Sequence, residues 1–308
     1  MRVDKHFGAI APALKAGKNV HVEWPLGKNL EEAEELLRLS KAHGVKRTAV
    51  GLQGRFAPSV AKLKELIKDG RIGKVLSSTW IGYGGNGGLT EPERIRYMVD
   101  KSVGGNLVTI HFGHAVDFIQ QGEKPFITLI LRAYNASVLG TFKTASGILA
   151  NRRPLIQLLN KDGSVAVKDF PKTADDTVFV HGIANDDTPV SINLRGGKAF
   201  RDTPGQDWRI YGEKGEIRLT ASGPFLQIGY PDIAVAIHDF ASNEVEEIDI
   251  GKDPFDEFSL PVRNVARVYE AIAAGDTSML CDFEDAVERH RLIDTLYKAN
   301  NAKLSKTK

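Results

Sequence analysis

Residues 20–51 constrain the fold more than any other stretch, because two short apolar runs flank a strong helix signal. Val20–Glu23 and the run "KRTAVGL" (46–52) predict two strands. Between them, Asn29 followed three residues later by a glutamate predicts a helix cap, and Gly44 predicts the helix end. A strand, a helix and a strand joined by short links predict parallel pairing with a right-handed crossover.

Glu23, Trp24 and Pro25 follow the first of these strands. Ligands bind at the carboxyl ends of strands in parallel α/β sheets, so we expect these residues to line a site. Pro25 has a fixed φ and no N–H, which holds the exit loop in shape. The Trp24 indole offers a flat apolar face and one donor, and that face suits either a flat ligand ring or another protein side chain.

Along the rest of the chain, the predicted elements change from mainly helices to mainly short β-strands. Helices are predicted over 5–18, 57–70, 91–99, 106–121, 258–274 and 283–300, and a strand over 73–84. Short β-type runs are predicted at 126–135, 163–168, 177–184, 189–195, 207–220, 224–238 and 245–250. The pattern therefore predicts a parallel α/β piece, then a mostly antiparallel sheet, and closing helices.

Composition excludes several classes of partner. The formal net charge is only +2, which argues against nucleic acid or anionic lipid. No apolar window is long enough to span a membrane, and the N-terminus lacks the core of a signal peptide. The single cysteine, Cys281, cannot form a disulfide within the chain, which fits a reducing, cytoplasmic setting. Because it lies beside acidic residues, it is also expected to be a poor nucleophile. Residues 301–308 are expected to be a solvated tail.

The stretch 82–87, "GYGGNG", matches a dinucleotide-binding pattern formally but not physically. That motif requires a helix to begin within it, so that the helix N-terminal amides face the pyrophosphate. Here Thr90 and Pro92 predict a helix that starts only after the glycines. We therefore interpret this stretch as a loop.

His111, His114 and Asp117 stand at helical spacing. His114 and Asp117 are three residues apart and share a helix face, so the carboxylate could orient an imidazole acting as general acid or base. The alternatives are a core or capping histidine, or a solvated ion pair. A metal site is not expected, because no third ligand stands at a recognisable spacing.

Several segments resemble the glucose–fructose oxidoreductase/inositol dehydrogenase (Gfo/Idh/MocA) family. "AGKNVHVEWPLG" resembles its AGKHV-x-x-EKP segment, "GLQGRFAPSV…GRIGKV" its R-F-x-P…G-x-I-G segment, and "GGNLVTIHFGHAVD" its histidine helix. "WRIYGEKGEIRL" and "DFEDAVERHRLIDTLYKA" also match, so nearly the whole chain is covered. The E-W-P-L-G variant is similar to the branch of the fungal galactose-regulon repressor.

The resemblance implies a partial Rossmann domain with a parallel sheet at 1–53, on which helix 283–300 packs. It implies an α+β substrate and oligomerisation domain with a large, mostly antiparallel open sheet at 54–282. Residues Val3–His6 align with the middle of the family's Rossmann domain, so the glycine-rich phosphate loop is expected to be missing, through a truncated gene model or a true variant.

The resemblance also assigns site residues. Trp24 stands where the family has a catalytic lysine, and Thr109 or Ile110 where it has an aspartate, whereas His114 and Asp117 match its H-x-x-D. The expected catalytic residues are His114 and Asp117, which match the family pattern, and His111, which has no counterpart in that pattern and stands as the substitute for a missing partner. The expected cofactor-binding residues are Glu23, Trp24, Pro25, His6 and Arg55.

Three functions follow as hypotheses. The first is an oxidoreductase that uses NAD or NADP on a sugar-like or polyol-like small-molecule substrate. The second is a non-catalytic regulator that senses a dinucleotide or metabolite and binds a protein partner, and Trp24 favours it. The third is a truncated product whose unpaired sheet edge would favour aggregation. A homodimer through the large sheet is expected only by analogy with the family.

Overall fold

The computed structural model describes residues 1–120, 138–184 and 187–305, with side chains up to residue 302. Among these residues, the α-helices are α1 His6–Lys15, α2 Leu30–Ala42, α3 Pro58–Lys68, α4 Gly113–Gln120, α5 Leu260–Ala274 and α6 Phe283–Ser305. The strands are β1 Val20–Glu23, β2 Thr48–Gly51, β3 Val75–Tyr83, β4 Thr90–Pro92, β5 Phe142–Ala150, β6 Leu155–Leu159, β7 Val165–Pro171, β8 Thr177–Ala184, β9 Pro189–Arg195, β10 Gln206–Gly212, β11 Gly215–Ala221, β12 Ala234–Asp239 and β13 Val245–Ile248.

The N-terminal part of the chain contains the parallel strand pair that the sequence predicted. β1 and β2 run parallel, with Glu23 opposite Gly51 at their carboxyl ends. The side chain of Asn29 caps α2 by accepting a hydrogen bond from the backbone N–H of Glu32 at 3.0 Å. This cap satisfies one of the amides that a helix N-terminus leaves free.

Helix α6 joins the N-terminal unit to the rest of the molecule. Arg291 of α6 forms an ion pair with Glu34 of α2 at 2.9 Å. Further along α6, the side-chain amide of Asn300 bonds both the N–H and the carbonyl of Leu149 in β5. The same helix therefore contacts both α2 and β5.

The large sheet has eight strands in the order β13-β12-β11-β10-β3-β9-β8-β5. Its neighbours are antiparallel except for β3 and β9, which are parallel. The predicted mixed α/β fold with a large, mostly antiparallel sheet is confirmed. A smaller sheet has the order β4-β6-β7.

Helix α4 covers the inner face of the large sheet. The ring of Phe118 lies 6.3 Å from that of Trp80 on β3 and 5.7 Å from that of Trp208 on β10. All three side chains are fully buried, so this contact is part of the main core. It fixes α4, and with it the preceding π-helix Leu107–Phe112, against the sheet.

Some predicted elements were wrong. The helix expected over 91–99 is the short strand β4 followed by an irregular 3-10 segment, Glu93–Val99. Of the β-type run expected over 224–238, only the last residues form a strand, β12 (Ala234–Asp239). The run expected at 126–135 lies outside the described residues. The stretch 82–87 is the end of β3 and a turn, and β4 follows it, so no helix opens in it.

Candidate active site

Trp24 connects the end of β1 to the helix that carries the predicted histidines. Its indole N–H donates a hydrogen bond to the backbone carbonyl of Thr109 at 2.8 Å. Thr109 is itself fixed, because its hydroxyl donates to the carbonyl of Gly104 at 2.6 Å and accepts from the N–H of Asn106 at 3.0 Å. The indole is 4% exposed. Its only donor is therefore used inside the protein.

The surroundings of the Trp24 ring are protein. A Cβ added to Gly113 would lie 2.6 Å from the indole nitrogen, so only glycine lets the helix approach this closely. On another side, the His290 ring of α6 lies 4.8 Å from the indole, centroid to centroid. The sequence left open whether a ligand ring or a protein side chain packs on the indole. In the structure, protein groups pack against it.

His114 lies directly after Gly113, one residue from the indole contact. The residue is 7% exposed, and its Nδ1 is buried without a hydrogen-bond partner among the described residues. Burial lowers the pKa of His114 to about 4, although nearby Asp117 acts in the opposite direction. The imidazole is therefore neutral at neutral pH and keeps a nitrogen free.

Among the described residues, the carboxylate of Asp117 hydrogen-bonds arginines and not His114, which differs from the orienting contact expected from sequence. Its two carboxylate oxygens accept a bidentate pair from Arg55, at 2.8 Å each, and a third bond from Arg289 at 3.3 Å. Burial alone would raise the pKa of Asp117, but the two guanidinium groups outweigh it and the pKa lies below its usual value. Asp117 is thus the centre of a buried ion-pair cluster one turn beyond His114.

Arg55 belongs to the same buried ion-pair cluster. Its third nitrogen reaches Asp285 of α6 at 3.3 Å, and the residue is 6% exposed. Its guanidinium therefore ties three distant segments of the chain together. The role in cofactor binding that the resemblance gives to Arg55 stays a prediction.

His111 lies three residues before His114 and contacts Phe225 and Asn86. Its ring stacks on Phe225, with centroids 4.1 Å apart and planes at 19°. The Asn86 amide nitrogen donates to Glu91, so its oxygen accepts from His111 Nε2 at 2.9 Å. Burial and nearby His114 lower the pKa of His111 to about 3, so Nδ1 keeps a lone pair, buried without a partner among the described residues.

The other residues predicted to bind cofactor lie near the carboxyl end of β1. His6 Nδ1 donates to the carbonyl of Pro25 at 2.8 Å, in a buried contact that holds α1 against the exit loop. Glu23 is exposed, and a Cβ at Gly51 would lie 2.8 Å from its carboxylate. The structure therefore brings Glu23, Trp24, Pro25 and His6 together, and Trp24 joins them to the helix that carries His114 through its contacts with Thr109 and Gly113.

Sequence reasoning missed three polar side chains on and near the sheet: Trp80, Gln206 and Gln227. They are 1%, 0% and 4% exposed, and each has a buried polar atom without a partner among the described residues. One signal was available. In "QDWRIYG" the core-facing alternation that places Trp208 and Ile210 inward also places Gln206 there.

The described residues fit a nicotinamide dinucleotide in part. The carboxyl end of β1, with exposed Glu23, is where the ring end of such a cofactor is expected. Within the same residues, no helix opens in a glycine-rich turn that could cradle the pyrophosphate.

The described part of the chain also holds no group of three His, Cys, Asp or Glu arranged for a metal ion. Nor does that part contain a helix with the length and apolarity that a membrane span requires.

Comparisons with known proteins identify the relatives. The model of the Gal80p C-terminal domain (Gal80p_C-like) matches residues 58–221. The galactose/lactose metabolism regulatory protein GAL80 of Saccharomyces cerevisiae is 28% identical over 97% of this chain and 75% of its own length. The dehydrogenase aclE of Aspergillus oryzae is 30% identical over 97% of this chain and 74% of its own length.

Solved structures agree on the fold. The S. cerevisiae super-repressor mutant of Gal80p superposes with a TM-score of 0.81 at 26% identity, covering 98% of this chain and 77% of that one. Levoglucosan dehydrogenase, solved with NADH and levoglucosan, superposes with a TM-score of 0.74 at 17% identity, covering 98% and 76%. The chain belongs to the Gfo/Idh/MocA oxidoreductase family, in the branch that contains the galactose repressor Gal80p.

Proposed function

We propose that the protein is a nicotinamide-dependent oxidoreductase that acts on an alcohol or carbonyl group of a sugar-like or polyol-like substrate. The observation that carries this proposal is His114, a neutral imidazole with an unpartnered nitrogen, which directly follows the Gly113 that packs against Trp24 after β1. The similarity of the chain to the dehydrogenase aclE also supports an oxidoreductase reaction.

Alcohol oxidation requires a group that takes the hydroxyl proton as the hydride leaves carbon, and the nicotinamide ring supplies the hydride acceptor when bound. His114 is unprotonated at neutral pH, so it can accept that proton. Trp24 holds the helix in place through the Thr109 carbonyl and so fixes the position of the imidazole. Asp117 contributes by anchoring α4 to Arg55 and Arg289, not by touching the imidazole.

The cofactor we propose is NAD or NADP, bound with its ring end near Glu23 and Pro25. NADH is present in the solved structure of levoglucosan dehydrogenase, which shares this fold. Quenching of tryptophan fluorescence by added NADH and NADPH measures binding without needing turnover. Saturable quenching supports the proposal, and its absence for both cofactors contradicts it.

Turnover is tested by following NAD(P)H absorbance with purified protein and a panel of polyols and aldoses. We expect oxidation of at least one neutral compound with one of the two cofactors. No absorbance change across the panel, in either reaction direction, would contradict an enzymatic role.

A second function is favoured by Trp24. The family pattern has a lysine at this position, and here an indole fills it, is buried, and uses its donor on the backbone. An indole cannot transfer a proton at neutral pH. This observation favours a non-catalytic regulator of the Gal80p type that binds a protein partner, in line with the similarity to Gal80p. A stable partner recovered with tagged full-length protein, together with an absence of turnover, would support this second function over the first.

A further inference from the structure

A cleft lies between α5, the start of α3 and the residues that flank β12 and β13, and Trp24, His111 and His114 are not among its lining residues. Its volume is about 230 Å³. Drug-sized pockets measure roughly 300–1,000 Å³, so this cleft takes a smaller compound. Its aliphatic wall is formed by Leu226, Ile233, Ile250 and Leu260.

The cleft connects the buried start of α3 to solvent. Ala57 and Ser59, both buried, line it at the start of the helix. Gly251 and Lys252 also line it, and both are exposed. A small molecule can therefore enter past Lys252 and reach a helix N-terminus.

Hydrogen bonds hold the α5 side of the cleft in a fixed shape. Arg267 donates a bidentate pair to Asp253, at 2.8 Å for each bond, and a third bond to Asn264 at 2.8 Å. The amide nitrogen of Asn264 donates in turn to the carbonyl of Leu226 at 3.0 Å. The polar groups of this wall therefore satisfy one another, and the cleft is preformed.

The charges around the cleft leave one cation over. Arg267 is paired with Asp253, and Arg263 with Asp256 at 3.2 Å. Lys252 has no ion pair within the part of the chain that the structure describes. Among the side chains that line the cleft and their ion-pair partners, a single positive charge is thus unmatched. This balance favours a monovalent anion as ligand.

The start of α3 favours an anion independently. No side chain caps this helix, Pro58 occupies its first position, and the helix dipole places partial positive charge there. Ser59 is 2% exposed, and its hydroxyl has no hydrogen-bond partner among the described residues. A buried hydroxyl without a partner is costly, and a carboxylate oxygen supplies the acceptor that it lacks.

We propose that this cleft binds a small monocarboxylic acid with an apolar body, such as an aromatic or a short aliphatic acid. The carboxylate accepts a hydrogen bond from the Ser59 hydroxyl at the start of α3, Lys252 supplies the balancing charge, and the apolar body packs on the aliphatic wall. The inference goes beyond the proposed function and does not depend on it, because binding is detected without cofactor or turnover.

The test is calorimetry on the full chain with benzoate as the probe, beside benzamide, which has a similar shape and no charge. The cleft variants are Ser59→Ala and Lys252→Gln. The control is Lys68→Gln, because Lys68 is an exposed lysine at the last position of α3 and does not line the cleft. The control removes the same charge from the protein as Lys252→Gln does.

We expect benzoate to bind about tenfold or more tightly than benzamide, and Ser59→Ala to weaken benzoate about tenfold, since hydrogen bonds to charged groups are the strong ones. Lys252→Gln should weaken benzoate by a smaller factor, about threefold to fivefold, because Lys252 is exposed. The Lys68→Gln control should bind like the wild type. Without ligand, Ser59→Ala should melt no lower than the wild type, because it removes a hydroxyl that has no partner.

Any of three binding results would overturn the inference: benzoate that does not bind, benzamide that binds as tightly, or benzoate binding that is unchanged in either cleft variant. An equal loss in Lys68→Gln would overturn it as well, because the effect would then report the overall charge of the protein. A ligand-free Ser59→Ala protein that melts lower than the wild type would show that the hydroxyl serves the fold and is not held for a ligand.

Discussion

The indole N–H of Trp24 donates a hydrogen bond to the backbone carbonyl of Thr109, five residues before His114, and this bond joins β1 to the histidine helix. The two groups are 85 residues apart in the chain. We propose that Trp24, which stands where the family pattern has a lysine, contributes to the site by holding this helix in position and not by transferring a proton.

Replacing Trp24 by phenylalanine tests this positioning. Trp24→Phe keeps an aromatic ring and removes the donor, so the buried carbonyl of Thr109 loses a partner. We expect the free energy of unfolding to fall by about 1–3 kcal/mol, measured by urea denaturation. The control is Tyr211→Phe at a 43% exposed position, where the change should stay within about 0.5 kcal/mol. Equal stability of the Trp24 variant and the wild type would show that the bond does not hold the helix.

Gly113 and Gly8 form a matched pair of helix glycines. Gly113→Ala places a Cβ 2.6 Å from the Trp24 indole, so overpacking should cost about 1–3 kcal/mol. Gly8→Ala in α1 meets nothing within 4 Å and should stabilise by about 0.5–1 kcal/mol through lower backbone entropy of the unfolded chain. Thermal or urea denaturation measures both. Similar effects in the two variants would contradict the close contact between helix and indole.

Asp117 should behave as a structural ion. Asp117→Asn leaves Arg55 and Arg289 buried with less compensating charge, and breaking a buried pair of this kind costs about 3–5 kcal/mol. The control Asp207→Asn removes a partner from the more exposed Arg218 and should cost less than about 1 kcal/mol. If Asp117→Asn were as stable as the control, the cluster would not contribute to folding in this way.

Three buried histidines predict how stability depends on pH. Burial lowers the pKa values of His111, His114 and His290 to about 3, about 4 and about 3, from an ordinary value of 6.5. Between pH 6.5 and about 4 the unfolded chain takes up protons that the folded chain does not, so stability falls as the pH falls. Each histidine contributes a slope of up to about 1.4 kcal/mol per pH unit.

Urea denaturation at pH 7 and at pH 5 measures this slope. The variant His114→Gln should lose less stability between the two values than the wild type, because it lacks one of the three titrating groups. Equal stability of the wild type at both values would contradict the buried neutral histidines.

The fold could be read from sequence wherever local patterns and tertiary packing agree. Asn29 caps α2 as predicted, and β8 and β9 have the predicted bounds. β5 was missed because "FKTASGILA" is rich in small residues and lacks a clear alternation; its pairing with β8 and its contact with α6 make it a strand. The expected helix at 91–99 was wrong because Glu91 is held in β4 beside β6 and accepts from Asn86.

The candidate site could be predicted only in part. Family motifs located Trp24 and His114, and the structure packs Trp24 against Gly113, the residue before His114. The partners of Asp117 could not be predicted, because Arg55 and Arg289 lie 62 and 172 residues away and spacing along one helix says nothing about them. Gln206 and Gln227 carry no motif, and only their burial without partners marks them.

The most direct test of the account is the specific activity of His114→Ala with NAD(P) and a neutral polyol or aldose substrate, measured beside wild type and His43→Ala. His43 is an exposed histidine at the end of α2 and leaves the site intact. We predict that wild type and His43→Ala turn over equally and that His114→Ala loses about 10²- to 10⁴-fold in kcat while remaining folded. Turnover by His114→Ala at the wild-type rate would contradict the account.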